Sequence, residues 1–239
     1  MNLTLTTLVP LLLNGLRLTL LVAIIGIGIG FLIGSLTGIT LNAKNKILRS
    51  VASVYIWIIR GTPLIVQALY VYFVIPNLLN IDLNNTSAGI IVIALNSGAF
   101  ISEIVRGSLA GVDPGQWEAG RSLGMTDGQI LFHFIIPPAF RSALPALGNQ
   151  FITSVKDTSL LTVIAVGEMT QQAMNYASLS FDYVNTYSVL AVFYLALISL
   201  LILGQKQLEK RLNLPARKKS IRLKKIQLLA KEEKRHVNS

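Results

Sequence analysis

The stretch "LLLNGLRLTLLVAIIGIGIGFLIGSLTGITL", Leu11–Leu41, is an apolar run with one ionisable side chain, Arg17. A helix needs roughly 20 mostly apolar residues to cross the hydrocarbon core of a bilayer, so this run can span a membrane and extend into the interface. The rest of the chain has the same character, since 52% of its 239 residues are hydrophobic and 13% are charged. The sequence therefore predicts an integral membrane protein.

Apolar runs of span length recur along the chain, which predicts an all-α membrane protein with about five transmembrane helices. The N-terminal run is expected to be a retained span rather than a signal peptide, because no basic residue precedes it and no small-residue cleavage site closes it. Residues 1–205 are predicted to form one transmembrane domain, and residues 206–239 a basic tail. The predicted spans are Leu11–Leu41, Val51–Leu79, Ala88–Leu109, Leu144–Val166 and Tyr187–Leu203.

The basic residues between these spans alternate from one side to the other. Lys44, Lys46 and Arg49 follow span one, Arg106, Arg121 and Arg141 follow span three, and twelve Lys or Arg residues follow span five. The segments 1–10, 77–87 and 168–186 contain none. Because Lys and Arg accumulate on the cytoplasmic side, we expect the N-terminus outside and the C-terminus in the cytoplasm.

The tail is the main source of the formal net charge of +10. Its position beside a span fits membrane topology better than nucleic-acid binding, so we expect no nucleic-acid partner. Its apolar residues, among them Ile221 and Leu228, are compatible with a basic amphipathic helix on anionic lipid or with plain disorder. The chain contains no cysteine, which excludes disulfides and thiolate chemistry. We expect no metal site and no catalytic residue.

A polar segment, "DPGQWEAGRSLGMTDGQILFHFIIPPAF" (Asp113–Phe140), interrupts the apolar pattern. Asp113-Pro114 predicts the start of a short helix that ends at Gly124. Thr126 or Asp127 can cap a second short helix, which we expect to stop at Pro137-Pro138. By the charge pattern this helix-turn-helix unit, residues 113–140, is cytoplasmic.

Part of this segment, "GQWEAGRS" (Gly115–Ser122), nearly matches the phosphate-binding loop G-x-x-x-x-G-K-[ST]. Arg121 stands where that loop has lysine, and a transmembrane helix rather than a buried strand precedes it. We therefore expect that this chain does not bind ATP itself and carries no other cofactor.

The same residues resemble the E-A-A-x-x-x-G-x9-I-x-L-P signature of membrane subunits of ABC importers. Glu118-Ala119-Gly120, Gly124, Phe134, Ile136 and Pro137 keep its spacing, although glycine replaces the second alanine and Phe and Ile replace Ile and Leu. Three further stretches resemble permeases for polar amino acids: "RGTPLIVQ" (Arg60–Gln67), "SGAFISEIVRG" (Ser97–Gly107) and "KDTSL" (Lys156–Leu160). The resemblance covers roughly residues 14–211.

The resemblance implies a type I ABC importer permease fold in the cell membrane. Such a permease pairs with a second, identical or different, permease subunit, docks on a dimer of ABC ATPase subunits and receives an amino acid from an extracytoplasmic binding protein. ATP hydrolysis would belong to the ATPase, and residues 113–140 would be the coupling element rather than a mere connector. The residues expected to couple the chain to the ATPase are Glu118, Ala119, Gly120, Ser122, Leu123, Gly124 and Pro137.

Polar side chains inside the spans are candidates for the substrate path, because ionisable groups at membrane depth are usually paired or face a cavity. Lys156 and Asp157 lie in the middle of predicted span four, and as helix neighbours they point about 100° apart. They either bind the charged groups of an amino acid or tie span four to its neighbours. The full candidate set is Gln67, Asn96, Ser97, Glu103, Lys156, Asp157, Thr158 and Ser159.

The other candidates allow two interpretations as well. Glu103 and Arg106 are three residues apart, which favours an intrahelical ion pair. Asn96 and Ser97 can bind substrate or cross-link helices, and Gln67 is equally ambiguous. Arg60 can mark an interfacial break, since Gly61 and Pro63 follow it.

Two remaining features have simpler interpretations. Gly26, Gly30, Gly34 and Gly38 form a small-residue face on span one, which we expect to pack within the subunit. The polar outer segment, residues 168–186, is either a docking surface for a binding protein or a solvated loop.

Two other classes of protein remain as alternatives. A secondary transporter usually shows inverted repeats, which this chain lacks. An intramembrane hydrolase needs a nucleophile and base at depth, whereas both histidines lie outside the spans.

Overall fold

The computed structural model describes residues 2–41 and 45–212, with side chains from residue 6 onward. Those residues form ten α-helices and no β-strand. The helices are α1 (Asn2–Thr40), α2 (Lys46–Gly61), α3 (Leu64–Leu69), α4 (Ile75–Leu79), α5 (Asn85–Ala110), α6 (Gly115–Ser122), α7 (Asp127–Ile130), α8 (Ile136–Asp157), α9 (Met169–Ser180) and α10 (Tyr183–Arg211). Two π-helical turns (Tyr70–Val74 and Leu131–Ile135) and one 3-10 helix (Thr158–Ile164) join some of them.

Within residues 2–41 and 45–212, four helical segments are long and apolar enough to cross a membrane. They are Thr6–Thr40, Asn85–Ala110, Asp127–Ile164 and Tyr183–Arg211. A fifth span results if α2 and the segment Leu64–Leu79, which meet at an angle of 108°, are counted as one broken span. The prediction of about five spans in an all-α membrane fold is confirmed. The tail from residue 213 onward, with its predicted helix or disorder, lies outside the described residues.

The second predicted span, Val51–Leu79, is not one continuous helix. α2 ends at Gly61, Thr62 is extended, and α3 begins after Pro63. Pro63 has no N–H group to donate to the carbonyl of Ile59, and its ring disfavours a helical residue before it. The break lies at the position that Gly61 and Pro63 after Arg60 indicated in the sequence.

The expected stop at Pro137-Pro138 is also wrong, because the helix continues through both prolines. A π-helical turn precedes them, in which the N–H of Ile136 donates to the carbonyl of Leu131. Both prolines then lie in the first turn of α8, where proline is tolerated because no intrahelical donor is required there. The polar segment therefore runs directly into a membrane span without a loop.

The glycine face of α1 packs against α5, as expected. A β-carbon on Gly30 would lie 2.8 Å from the carbonyl oxygen of Ala94, and one on Gly34 would lie 2.6 Å from that of Gly98. Any side chain at these positions would push the two backbones apart. The small residues thus let α1 and α5 form the tight centre of the subunit.

The polar outer segment contains a helix that the sequence did not predict. α9 buries Met169, Ala173 and Ala177 against α1. The approach is close, because a β-carbon on Gly15 of α1 would lie 2.7 Å from the Cα atom of Met169. Residues 168–186 are consequently not a plain solvated loop, because one side of α9 is apolar and buried.

Candidate coupling segment and translocation path

The candidate coupling segment, residues 113–140, begins with a well-capped helix. The carboxylate of Asp113 accepts a hydrogen bond from the N–H of Gly115 at 2.9 Å, at the start of α6. Pro114 precedes Gly115 and has φ near −54°, the conformation that a first helical turn requires. The expected first helix of this segment is therefore present, from Gly115 to Ser122.

Gly124 ends this helix in the left-handed conformation, with φ +74°. The N–H of Met125 donates to the carbonyl of Gly120 at 3.1 Å, and the N–H of Gly124 donates to that of Arg121 at 2.9 Å. These two bonds form a Schellman motif, which needs a positive φ at the residue after the helix. Glycine adopts this conformation without steric cost, which explains the residue type at the joint.

The second helix of the segment starts with a capping box. The hydroxyl of Thr126 accepts from the N–H of Gln129, and the side chain of Gln129 accepts from the N–H of Thr126 at 2.9 Å. Across the joint, the guanidinium of Arg121 lies 3.2 Å from the carboxylate of Asp127. The two short helices are thus held at a defined angle by bonds on both sides of Gly124.

Some of the residues expected to couple the chain to the ATPase are buried within the segment, and others are exposed on its surface. Gly120 is buried against Ile130, whereas Leu123 exposes 76% of its surface. Pro137 lies beyond the π-helical turn, at the start of α8. The remaining exposed members of the set are Glu118, Ala119, Ser122 and Gly124. Leu123, in the turn after α6, is the most exposed large apolar side chain of the segment.

Gln67 replaces the hydrogen bonds that the break before α3 removes. Its amide nitrogen donates to the carbonyl of Ile59 at 2.7 Å and to the carbonyl and hydroxyl of Thr62, both at 3.0 Å. The Ile59 carbonyl is the group that Pro63 leaves without a partner. Asn96 of α5 in turn donates to the amide oxygen of Gln67 at 3.3 Å. This chain of bonds joins the broken span to α5.

A second buried polar contact joins α5 to α8. The hydroxyls of Ser97 and Ser154 lie 2.9 Å apart, and the amide of Gln150 donates to Ser154 at 3.2 Å. Ser154 and Gln150 were not predicted as path residues, because uncharged polar residues on a span give no distinctive signal. Asn96 and Ser97 do cross-link helices, which leaves their predicted contact with substrate untested.

Glu103 lies between two arginines. Arg106, one turn further along α5, is 2.9 Å from its carboxylate, so the predicted intrahelical ion pair is formed. Arg60, at the end of α2, approaches the same carboxylate at 3.9 Å and lies 5.5 Å from the ring centre of Phe100. The spacing in α5 predicted the first contact, but nothing local predicted the second.

Lys156 and Asp157 lie at the end of α8, not in the middle of a continuous helix as expected. The next residues form the 3-10 helix, and the hydroxyls of Thr158 and Ser159 donate to the carbonyls of Val155 and Lys156 at 2.8 Å and 2.7 Å. Within the described chain, neither charged side chain forms a hydrogen bond or ion pair. Lys156 is exposed and Asp157 is half-buried. Both charges are thus available to a ligand or a partner subunit.

A buried carboxylate lies outside these spans, at the start of α9. Glu168 is completely buried, accepts from the N–H of Gln171 at 2.8 Å and accepts from the hydroxyl of Tyr194 in α10 at 2.9 Å. Burial raises the pKa of the Glu168 carboxyl above its usual range. The polar sequence around Glu168 predicts an exposed residue, which is not what the structure shows; its position three residues before Gln171, as an N-cap, is the local signal of its hydrogen bond.

Comparison with known proteins relates this fold to a class of membrane components. The family model described as "Binding-protein-dependent transport system inner membrane component" matches residues 26–214. The glutamine transport system permease protein of Escherichia coli strain K12 is 38% identical, over 86% of this chain and 94% of that protein. The L-cystine transport system permease protein of Bacillus subtilis is also 38% identical, over 85% of this chain and 87% of that protein.

Solved structures agree with this assignment. An amino acid ABC transporter with histidines has a TM-score of 0.82 and 35% identity, over 87% of this chain and 97% of that one. The MetNI methionine ABC transporter, 20% identical with a TM-score of 0.73, has the same fold. The molecule is therefore a multi-pass membrane permease with the type I ABC importer fold. The chain belongs to the family of binding-protein-dependent transport system inner membrane components.

Proposed function

We propose that this chain is the permease subunit of an ATP-driven importer of polar amino acids in the cell membrane. The observation that carries the proposal is the correspondence with the glutamine permease, which extends over 94% of that protein. A secondary transporter that works without an ATPase is not favoured, because the matched family belongs to multi-component systems.

The proposed assembly has four kinds of protein component. This chain pairs with a second permease subunit, and the pair docks on a dimer of ABC ATPase subunits. An extracytoplasmic binding protein delivers the amino acid, and the bilayer surrounds the spans. ATP binds to the ATPase, so this chain needs no cofactor of its own and is not an enzyme.

The coupling segment would transmit the movement of the ATPase to the spans. Its joint is closed by the Schellman motif at Gly124, the capping box at Thr126 and the ion pair between Arg121 and Asp127. A unit held in this way moves as one body, whereas a flexible loop would absorb the displacement. Leu123, in the turn after α6, suits an apolar depression on the ATPase, and Glu118 adds a negative charge beside it.

The amino acid would pass along the polar side chains that line α5 and the end of α8. Asp157 and Lys156 offer a carboxylate and an ammonium that no described residue neutralises by contact, which suits the two charged groups of a free amino acid. Gln67, Asn96, Ser97 and Glu103 continue the polar line, although their hydrogen bonds must open or be shared for substrate to use them.

The orientation of the chain in the membrane follows from the proposed assembly. The coupling segment must face the cytoplasm to meet the ATPase, which places the N-terminus outside and the C-terminus inside. Because the chain has no cysteine, single cysteines report topology directly. We expect Asp82→Cys to react with an impermeant thiol reagent added outside intact cells, and Lys46→Cys to react only after permeabilisation. The reverse pattern would contradict the orientation.

The decisive experiment is reconstitution of this chain with an ABC ATPase and an amino-acid-binding protein from the same organism. We expect the purified complex in proteoliposomes to import a polar amino acid only when ATP, the binding protein and this chain are all present. Import that persists without the ATPase would make the chain a secondary transporter. Failure of this chain to co-purify with the ATPase would also contradict the proposal.

The same assay tests the substrate path. Asp157→Asn keeps the size of the side chain and removes its charge, so uptake should fall while the complex remains intact on gel filtration. Asp82→Asn, the same substitution at an exposed position in the loop before α5, is the matched control. Loss of the assembled complex in Asp157→Asn would assign this residue to structure instead.

A further inference from the structure

The turn between α9 and α10 carries an unusual apolar surface. We call it the α9–α10 patch and define it by Leu179, Phe181, Tyr183 and Val184. Leu179, Phe181 and Val184 expose 83%, 76% and 80% of their surfaces, and Tyr183 exposes 46%. Four large apolar or aromatic side chains within six residues are thus left without protein cover.

Phe181 has a strained backbone in addition to an exposed side chain. Its φ is 55° and its ψ is 14°, the left-handed conformation in which glycine or asparagine normally ends a helix. Its N–H donates to the carbonyl of Ala177 at 2.9 Å, which fixes it as the end of α9. A bulky residue that is both strained and exposed needs an environment that compensates for it, and local strain of this kind is typical of functional positions.

The polar groups of the turn bond within the protein and leave the patch apolar. The carboxylate of Asp182 accepts from the backbone N–H of Asn185 at 3.4 Å and from its side-chain amide at 3.0 Å, and so caps α10. The turn contains no lysine or arginine. The outward surface is therefore formed by Leu, Phe, Tyr and Val, without the charged rim that a reversible protein-docking site usually has.

The position of the patch indicates what covers it. α10 is a membrane span that begins at Tyr183. Tyr183 and Tyr187 stack in its first turn with ring centres 6.3 Å apart, and tyrosines at the end of a span are typical of the membrane–water interface. Val184 continues along one face of α10 into Val192 and Leu195, which are also largely exposed. The patch is thus continuous with the apolar surface of the span.

From these observations we propose that the α9–α10 patch inserts into the lipid bilayer at the boundary between headgroups and acyl chains, and anchors the start of α10 there. Insertion covers Leu179, Phe181 and Val184 with hydrocarbon, while the tyrosine hydroxyls reach water or headgroups. The turn therefore lies below the aqueous surface, where it is not available for docking of a binding protein.

Site-directed spin labelling tests this anchoring on the intact complex in lipid nanodiscs. Nitroxide labels at Leu179→Cys, Phe181→Cys and Val184→Cys should collide more often with oxygen than with a water-soluble nickel chelate. A label at Asp82→Cys, in the loop before α5, is the aqueous control and should show the opposite preference. Val184 lies in regular helix, so its result does not depend on the strained backbone at Phe181.

The outcomes are distinct. Preference for oxygen at all three patch positions, unchanged when the binding protein is added, supports insertion into lipid. Preference for the nickel chelate, or a loss of label mobility only when the binding protein is present, would overturn it in favour of an aqueous docking surface. Labels that are immobile and shielded from both reagents would overturn it in favour of burial against a second permease subunit.

Discussion

Gly120 and Ile130 set the distance between the two short helices of the coupling segment. A β-carbon on Gly120 would lie 2.5 Å from Cγ1 and 3.2 Å from Cγ2 of Ile130, which is itself completely buried. The family signature has alanine at this position, so the departure to glycine is matched by a β-branched neighbour in the facing helix. The two residues act as one contact, and neither can grow without moving α6 away from α7.

Gly120→Ala is therefore expected to uncouple transport from ATP hydrolysis. The added methyl group must displace Ile130 or tilt α6, since overpacking of a tight contact costs about 1–3 kcal/mol. We expect uptake by the reconstituted complex to fall well below the wild-type rate at unchanged expression. Gly128→Ala, which places a methyl group in open space in α7, is the control and should transport normally. If uptake recovers in part in the double variant Gly120→Ala/Ile130→Ala, the contact between the two residues is confirmed. Normal uptake by Gly120→Ala alone would show that the contact does not matter for transport.

Gly124→Val tests the joint itself. No atom lies within 4 Å of a β-carbon at this position, so any effect arises from the positive φ and not from crowding. A left-handed conformation costs roughly 1–2 kcal/mol for an L-residue and more for a β-branched one, so valine should force the joint to a new angle. Membrane insertion should be normal, whereas binding-protein-stimulated ATP hydrolysis and uptake should drop severely. Gly124→Asn, which tolerates positive φ, should retain most activity; equal activity of both variants would exclude a rigid joint.

The role of Gln67 predicts a stability effect. Replacing Gln67 by alanine leaves the carbonyls of Ile59 and Thr62 without the donor of this buried side chain, and an unsatisfied buried group costs about 1–3 kcal/mol, less where water reaches the part-buried carbonyls. We expect a clear drop in the melting temperature of the detergent-purified protein. Asn77→Ala removes a similar amide-to-carbonyl bond, to Phe73, but at an exposed position. Equal melting temperatures for the two variants would show that Gln67 does not hold the broken span together.

Glu168 predicts a pH-dependent stability. Because burial raises the pKa of this carboxyl in the folded protein, the folded state keeps a proton that the unfolded state releases. The free energy of unfolding should then fall as pH rises from about 4.3, the ordinary value for glutamate, through the raised folded-state pKa. Glu168→Gln removes the titrating carboxyl. The melting temperature of the variant minus that of the wild type should therefore be larger at pH 8 than at pH 5. Glu118→Gln, at an exposed site, should show no such trend. A gain for Glu168→Gln that is independent of pH would contradict this account.

Local chemistry made the ends of the short helices predictable. The side chains of Asp113 and Thr126 and the glycine at residue 124 each perform a capping role that depends only on neighbours in sequence. The apolar runs likewise predicted the number of spans, because bilayer thickness sets the length of each run.

The prolines show where this local reasoning fails. Pro63 breaks a span, whereas Pro137 and Pro138 lie inside a continuous helical path. The helix breaks at Pro63, where the side chain of Gln67 satisfies the carbonyls left free at the bend. It continues through Pro137 and Pro138, where a π-helical turn widens the helix ahead of the prolines. Both are local arrangements, but the residue pattern does not show which of them a proline will have.

The helix α9 within the polar outer segment was not predicted from the sequence either. α9 is rich in Gln, Ser and Asn, so its composition resembles a solvated loop. Its buried residues are Met169, Ala173 and Ala177, and the backbone of Met169 lies against Gly15 of α1. Glu168 looked exposed because a lone carboxylate usually is. Only the positions of Tyr194 and of the N–H of Gln171 show that its burial is compensated.

The absence of a loop between Thr126 and Asp157 makes this part of the chain one uninterrupted helical rod, about 45 Å long at about 1.5 Å per residue. A rod of that length that swings by 5° about one end displaces the other by about 4 Å, roughly the width of a methylene chain. Ser154, Lys156 and Asp157 lie at the far end. A small rotation of the coupling segment would thus move these three side chains by several ångströms, without any refolding of the helix between them.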